Sequence, residues 1–61
     1  MTTKILHIEN SKEAFEAYEK IKNTFPCWID ATPIEMNYSE VIIRARTEDM
    51  ASIENILAPF V

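Results

Sequence analysis

The sequence predicts a small α/β protein of the α+β kind, a two-layer sandwich in which a three-stranded sheet carries two helices on one face. Three observations predict it. Apolar residues recur at every second position within residues 3–9 and 40–46, at Leu6 and Ile8 and at Val41, Ile43 and Ala45, as in strands with one buried face. Two other segments space their apolar residues three and four positions apart, as amphipathic helices do. The order is β-α-β-β-α, and 61 residues allow one domain, residues 1–61.

The first helix follows a polar junction. Either Asn10 or Ser11 is expected to cap it, and Asn10 and Glu13 have the spacing of a capping box. The helix is expected to run from Ser11 to about Thr24, because Pro26 prevents its continuation. Its predicted apolar face consists of Ala14, Phe15, Tyr18, Ile21 and Phe25.

The second strand, residues 27–36, is less regular than the other two. Its alternation shifts by one position after Pro33, and a bulge near Thr32-Pro33 would reconcile the two halves. Proline also requires an edge position, because it has no N–H to donate to a neighbouring strand. The apolar residues before the shift are Ile29 and Ala31, and those after it are Ile34 and Met36.

A turn at Asn37-Tyr38-Ser39 is expected to lead into the clearest strand, residues 40–46. Thr47 is expected to cap the last helix, with Glu48 and Asp49 in its first turn, where negative charge favours the helix dipole. One strand face holds Val41, Ile43 and Ala45, and the other holds Ile42, Arg44 and Arg46. The apolar face of the helix holds Met50, Ile53, Ile56, Leu57 and Phe60, and Pro59 weakens its last turn.

These elements close most simply with the third strand in the middle of the sheet. A right-handed crossover makes the first two strands parallel, so the third is antiparallel to both and the second is an edge. Both helices then cover one face, on the side of Leu6 and Ile8, and the other face stays open. The open face is expected to carry Ile5, His7, Trp28 and Ile42. Such an exposed apolar surface often marks an interface; the alternative is a slip in strand parity that buries some of these residues.

Composition limits the classes of function. Six Lys and Arg against ten Asp and Glu give a net charge of −4, which argues against direct nucleic-acid binding and suits a basic protein surface, although many proteins carry such a charge for solubility alone. Cys27 is the single cysteine, which fits a reducing cytoplasm. We expect a complete small reading frame with no signal peptide, no membrane span and no membrane partner.

The sequence also argues against an enzyme. It has one histidine, His7, one cysteine and no glycine-rich phosphate loop. No third group is placed to orient His7 for catalysis, and Cys27 is typical of a small buried residue. No cofactor or metal is expected, since the carboxylates fall on helix exteriors. Arg44 and Arg46 are expected to pair with nearby carboxylates.

Trp28 is the strongest candidate for a binding residue. It can be read either as an anchor at the core margin or as an interface hot spot, where tryptophan is enriched. A predicted edge strand favours the second reading, because edges offer unpaired backbone groups to a partner. Asn37 is ordinarily a turn residue, and Glu35 and Tyr38 flank it on the same surface.

The segment Trp28–Asn37, Trp-Ile-Asp-Ala-Thr-Pro-Ile-Glu-Met-Asn, resembles the Dmd antitoxin family of T-even-type phages. The shared features are a tryptophan, eight intervening residues and an asparagine preceded by glutamate and an aliphatic residue. Chain length and the strand-helix-strand-strand start are also similar to that family. The match is close over these ten residues and extends elsewhere only as a pattern.

The resemblance implies a partner and a role. Dmd-family proteins bind host endoribonuclease toxins of the RnlA/LsoA type and so protect phage mRNA. By this resemblance Trp28 and Asn37 are expected to contact such a toxin in the bacterial host cytoplasm, with Glu35, Tyr38 and Ile42 on the same surface. Free protein is expected to be a monomer or weak dimer. Two alternatives stay open: a small acidic phage or bacterial module that masks another host factor, and a self-associating regulatory domain.

Overall fold

A computed structural model describes all residues, 1–61. The elements are β1 (Thr2–Glu9), α1 (Lys12–Thr24), β2 (Cys27–Pro33), β3 (Tyr38–Ala45), α2 (Thr47–Leu57) and a final 3₁₀ turn (Ala58–Phe60). The sheet order is β1-β3-β2, and β3 is antiparallel to both neighbours. The predicted α+β fold and its strand order are therefore confirmed, with β2 at an edge.

The core lies between one face of the sheet and the two helices. Every second residue of β3 points into it, because side chains alternate between the two faces of a strand. The buried apolar residues are Ile8, Ala14, Ala17, Tyr18, Ile21, Val41, Ile43, Ala45, Met50, Ile53 and Leu57. Burial raises the pKa of the Tyr18 hydroxyl. Phe15 was expected on the apolar face of α1, but it is 51 % exposed, since its position lies at the border of that face.

Ser11, one of the two residues expected to cap α1, is confirmed as its cap, whereas the start of α2 differs from the prediction. Ser11, in extended conformation, caps α1 by accepting a hydrogen bond from the Ala14 N–H at 3.1 Å. The predicted Asn10–Glu13 capping box is wrong, because Asn10 is bonded elsewhere. Thr47 is likewise not a cap: it is the first residue of α2, and its hydroxyl lies 2.6 Å from that of Thr2.

Arg46 occupies the cap position of α2 and makes no side-chain bond to the helix backbone. Its Nε instead donates to Asp49 Oδ2 at 2.7 Å, in the first turn of the helix. That hydrogen bond and the charge of Asp49 raise the pKa of the Arg46 guanidinium. The first turn of α2 is therefore held by an ion pair rather than by a capping hydroxyl.

The predicted bulge in β2 is wrong. Pairing with β3 continues one to one from Cys27, opposite Ala45, to Pro33, opposite Ser39, where the strand ends. The turn occupies residues 34–37 instead of 37–39, so the shift of alternation after Pro33 marks the end of a strand. Ile34 and Met36, expected on a strand face, are exposed in this turn.

The hairpin turn closes without glycine. Two-residue hairpin turns need positive φ angles, which residues other than glycine resist. No residue of this chain has a positive φ, and the hairpin uses a four-residue connection.

No helix combines the length and apolar content that a membrane crossing requires.

Candidate functional site

The face of the sheet opposite the helices is open and has a defined grid of side chains. The register places cross-strand neighbours from β1, β3 and β2 in rows. The alternative considered above, a slip in strand parity that buries this face, does not occur. The rows are Thr3-Arg44-Trp28, Ile5-Ile42-Asp30, His7-Glu40-Thr32 and Glu9-Tyr38.

An apolar strip, formed by Ile5, Ile42 and Trp28, crosses this face. Ile5 is 59 % and Trp28 52 % exposed, and Ile42 is partly buried between its neighbours. Ile5 lies directly opposite Ile42, and Trp28 is diagonal to Ile42, since it pairs with Arg44 two residues farther along β3. Both directions are within reach of large side chains in an antiparallel pair. Neither helix covers this strip, because both helices lie on the other face of the sheet.

At the Trp28 end of the face, an open groove of about 460 Å³ adjoins the edge of β2. Its lining residues are Met1, Pro26, Cys27, Trp28 and Arg44. The expected carboxylate partner is present for Arg46 but absent for Arg44, which takes part in no ion pair. Its neighbours across the strands, Thr3 and Trp28, carry no charge. This end of the face therefore combines a half-exposed indole with an unpaired guanidinium.

At the opposite end, Tyr38 and His7 form an aromatic pair. Their ring centroids are 5.4 Å apart and the planes are tilted by 43°. His7 Nε2 lies 4.0 Å from Glu40 Oε2, an ion pair only when the imidazole is protonated. A second groove, of about 400 Å³, lies beside this pair. Its lining residues are His7, Glu9, Asn37, Tyr38, Phe60 and Val61.

The candidate binding residues fall into two groups at opposite ends of the face. Trp28 pairs with Arg44, whereas Asn37 immediately precedes Tyr38 in the turn. The six residue-to-residue steps from Tyr38 to Arg44 span roughly 20 Å at strand geometry. Glu35 is also exposed in the turn. The structure brings Glu35, Asn37 and Tyr38 together and keeps Trp28 apart from them, with Ile42 between the two ends.

Comparison with known proteins does not identify a family. No protein-family model, curated protein or solved structure matches this chain.

Two residues near the turn have positions and contacts that their sequence context does not indicate. Met36 is 99 % exposed at its tip. Asn10 bonds to the turn across the sheet: its N–H donates to the Asn37 carbonyl at 2.9 Å, and its Oδ1 accepts from the buried Ser39 hydroxyl at 2.6 Å. The only sequence feature that could indicate Met36 is its apolar side chain beside residues that favour turns. The role of Asn10 is not evident from sequence, because asparagine before a helix normally indicates a cap.

The arrangement of reactive groups does not form a catalytic pair. His7 lies on the open face, whereas Cys27 lies on the core side of β2, opposite Ala45. Burial raises the pKa of the Cys27 thiol, with the charge of Asp49 adding to the rise and that of Lys22 opposing it. The thiol is therefore protonated at neutral pH, the less nucleophilic form. No group of three or more histidine, cysteine or carboxylate side chains converges as metal ligands do.

Proposed function

We propose that this protein acts by binding another protein through the open face of its sheet. The observation that carries the proposal is the apolar strip, in which Trp28 is half exposed on an edge strand. Tryptophan in such a place loses little conformational entropy on binding and offers a large contact area. Ile5 and Ile42 extend the contact across all three strands, so a partner that covers the strip removes a continuous apolar surface from water.

The proposed partner is an endoribonuclease toxin of the RnlA/LsoA type, and the proposed role is that of an antitoxin. The resemblance of Trp28–Asn37 to the Dmd family supports this choice of partner. The charge also fits, because a protein of net charge −4 is attracted to the basic groove in which a ribonuclease binds RNA. Inhibition then requires no chemistry on the toxin, since occupation of the groove excludes RNA.

The dimensions of the face set the extent of the contact. A standard interface covers about 800 Å² of each partner, roughly a fifth of the 4033 Å² accessible surface of this protein. Three strands about 4.8 Å apart and about 26 Å long cover only roughly 370 Å² in projection. An interface of standard size therefore takes in the β2–β3 turn or the β2 edge as well as the face. A partner that reaches both ends contacts Trp28 and Asn37 together, despite their separation.

The decisive experiment co-expresses this protein with an RnlA-type toxin in a bacterial host, and scores growth and co-purification. Trp28→Ala is compared with Phe15→Ala, a matched control. Both aromatic rings are half exposed, at 52 % and 51 %, but Phe15 lies on α1 in the other layer. Truncation at a hot spot weakens binding by about 2 kcal/mol or more. We expect wild type and Phe15→Ala to rescue growth and to co-purify with the toxin, and Trp28→Ala to fail.

Two outcomes would overturn parts of this proposal. Absence of rescue by the wild-type protein across several toxins of this type would exclude the antitoxin role. Rescue by wild type and Trp28→Ala alike would retain the partner and remove the apolar strip from the interface. A melting curve for each variant separates loss of binding from loss of folding.

Self-association is a second candidate, favoured by the direct opposition of Ile5 and Ile42 at the centre of the open face. A two-fold dimer places the same patch of each copy against the other. Sedimentation at micromolar concentration distinguishes it: a stable dimer that Trp28→Ala dissolves supports self-association. Masking of a different host factor uses the same face, and is indicated if a host protein other than a ribonuclease toxin is retained and Trp28→Ala releases it.

A further inference from the structure

The β2–β3 turn, residues 34–37, exposes apolar side chains on a backbone that is held in place. Met36 is 99 % exposed and Ile34 52 % exposed. Single exposed apolar residues are ordinary on protein surfaces, so exposure alone indicates nothing. The distinguishing feature of this turn is the set of hydrogen bonds that fixes it.

Asn10, at the end of β1, holds the turn from outside. Its backbone N–H donates to the carbonyl of Asn37 at 2.9 Å. Its Nδ2 donates to the carbonyls of Glu35 and Met36, each at 3.4 Å. Its Oδ1 accepts from the Ser39 hydroxyl at 2.6 Å, and Ser39 is 3 % exposed. One side chain therefore links the turn to the buried start of β3.

The turn is also bonded internally. The N–H groups of Ile34 and Glu35 both donate to the carbonyl of Tyr38, at 3.3 and 3.2 Å. Ordering a flexible loop on binding lowers affinity, whereas a loop already fixed in its bound shape avoids that loss. The apolar side chain of Met36 is thus presented on a backbone that need not be ordered again.

The charged side chains of the turn and of the adjoining end of the open face are acidic, apart from His7 beside Glu40, which is charged only when protonated. Glu35 lies within the turn, and Glu9 and Glu40 lie on the adjoining end of the open face. Arg44, the arginine of that face, is at the far end. The complementary surface is an apolar pocket with a basic rim, because acidic groups around an apolar contact favour a positive surround on the partner.

We propose that Met36, with Ile34 beside it, is a preformed apolar contact that inserts into an apolar, basic-rimmed pocket of the partner protein, and that Asn10 is the positioning residue that fixes it. This inference rests on the proposed function and adds a second contact to it. Methionine suits such a role, since its flexible thioether adapts to the shape of a pocket. The turn and Trp28 then form the two ends of one extended interface.

The test measures the affinity of purified protein for a purified RnlA-type toxin by titration calorimetry, with amide hydrogen exchange on the free protein. Met36→Ser is expected to weaken binding about tenfold or more, and Met36→Leu to restore most of it, because the lost term is apolar burial. Phe15→Ser is the control and is expected to bind as wild type. Asn10→Asp keeps the acceptor for Ser39 and the backbone N–H that donates to Asn37, and it removes the two side-chain donations to Glu35 and Met36. It is expected to weaken binding although it adds a negative charge, and to speed exchange of the turn amides.

The outcomes separate this inference from the proposed function. If wild type binds and Met36→Ser binds equally well, the second contact is refuted and the antitoxin role stands. If wild type does not bind, the antitoxin role is refuted, and so is the proposal that Met36 inserts into a pocket of the toxin. If the amide N–H groups of Ile34 and Glu35 exchange in the free wild type as fast as in an unstructured peptide, the preformed turn is refuted irrespective of the partner. If Asn10→Asp changes neither the exchange of the turn amides nor the affinity for the toxin, Asn10 is not the residue that fixes the turn.

Discussion

Ile42 and Ile43 are adjacent, chemically identical and on opposite faces of β3, so paired substitutions there test which face is the core. Ile43 is fully buried under the helices, opposite Lys4 on one side and Ile29 on the other. Ile42 lies in the apolar strip and is only partly buried. The same change at the two positions therefore removes the same methyl groups from different surroundings.

The expected magnitudes follow from burial. A chain of 61 residues has a free energy of unfolding of roughly 3–9 kcal/mol. Replacing a buried isoleucine by alanine costs about 2–5 kcal/mol, which leaves Ile43→Ala marginal or unfolded. Ile43→Val removes one methylene and costs about 1 kcal/mol. Ile42→Val is expected to cost below about 0.5 kcal/mol, as for surface positions.

Urea denaturation followed by tryptophan fluorescence measures this difference. With a slope of about 1 kcal/mol per molar urea, Ile43→Val lowers the midpoint by about 1 M and Ile42→Val by less than half of that. Affinity for the partner is expected to change in the opposite order, with a larger loss for Ile42→Val than for Ile43→Val. Equal midpoint shifts, or a larger shift for Ile42→Val, would show that the assignment of core and open faces is wrong.

Three further predictions concern folding stability. Well below pH 9.0 the Cys27 thiol is neutral in both states. As pH rises through 9.0 the unfolded thiol ionises first, because burial raises the folded pKa, so stability falls. Cys27→Ala should shift the fall in stability to higher pH, towards pH 10.0, where ionisation of Tyr18 lowers stability in the same way. A fall in stability at an unchanged pH would contradict this prediction. Ser11→Ala should lower the free energy of unfolding by about 1 kcal/mol and Thr47→Ala by much less in thermal melts, and the reverse order would restore Thr47 as a cap. Asn37→Ala should leave the melting temperature nearly unchanged, because Asn37 is held through its carbonyl; a large drop would assign its side chain to turn geometry.

The sheet could be predicted from sequence because alternation and connectivity constrain it strongly. The pattern of β3 placed Val41, Ile43 and Ala45 on one face, and the register confirms that placement. Pro33 and the right-handed crossover independently placed β2 at an edge. The two arguments rest on different physics, the missing proline donor and chain handedness, and their agreement fixed the strand order.

Prediction failed where residues far apart in sequence decide local structure. Asn10 has the residue type of a cap, but its Oδ1 instead accepts a hydrogen bond from the hydroxyl of Ser39, which is 29 positions away. Ile34 and Met36 have the spacing of a strand face, and only the turn bonds show that β2 has already ended. Met36 is therefore a candidate contact that periodicity assigned to the wrong element.

The bonds of Asn10 to the turn also have a consequence for the order of folding. Its side chain joins residues 25 to 29 positions apart, and no glycine favours early closure of the β2–β3 turn. Contacts between distant residues form only after the entropy of closing the intervening loop is overcome, which slows folding. We therefore expect the bonds from Asn10 to form, and the turn to become fully fixed, only after β1 has joined the sheet. A nascent chain that has emerged as far as the end of β3 already contains Asn10 and all the residues to which it is hydrogen-bonded.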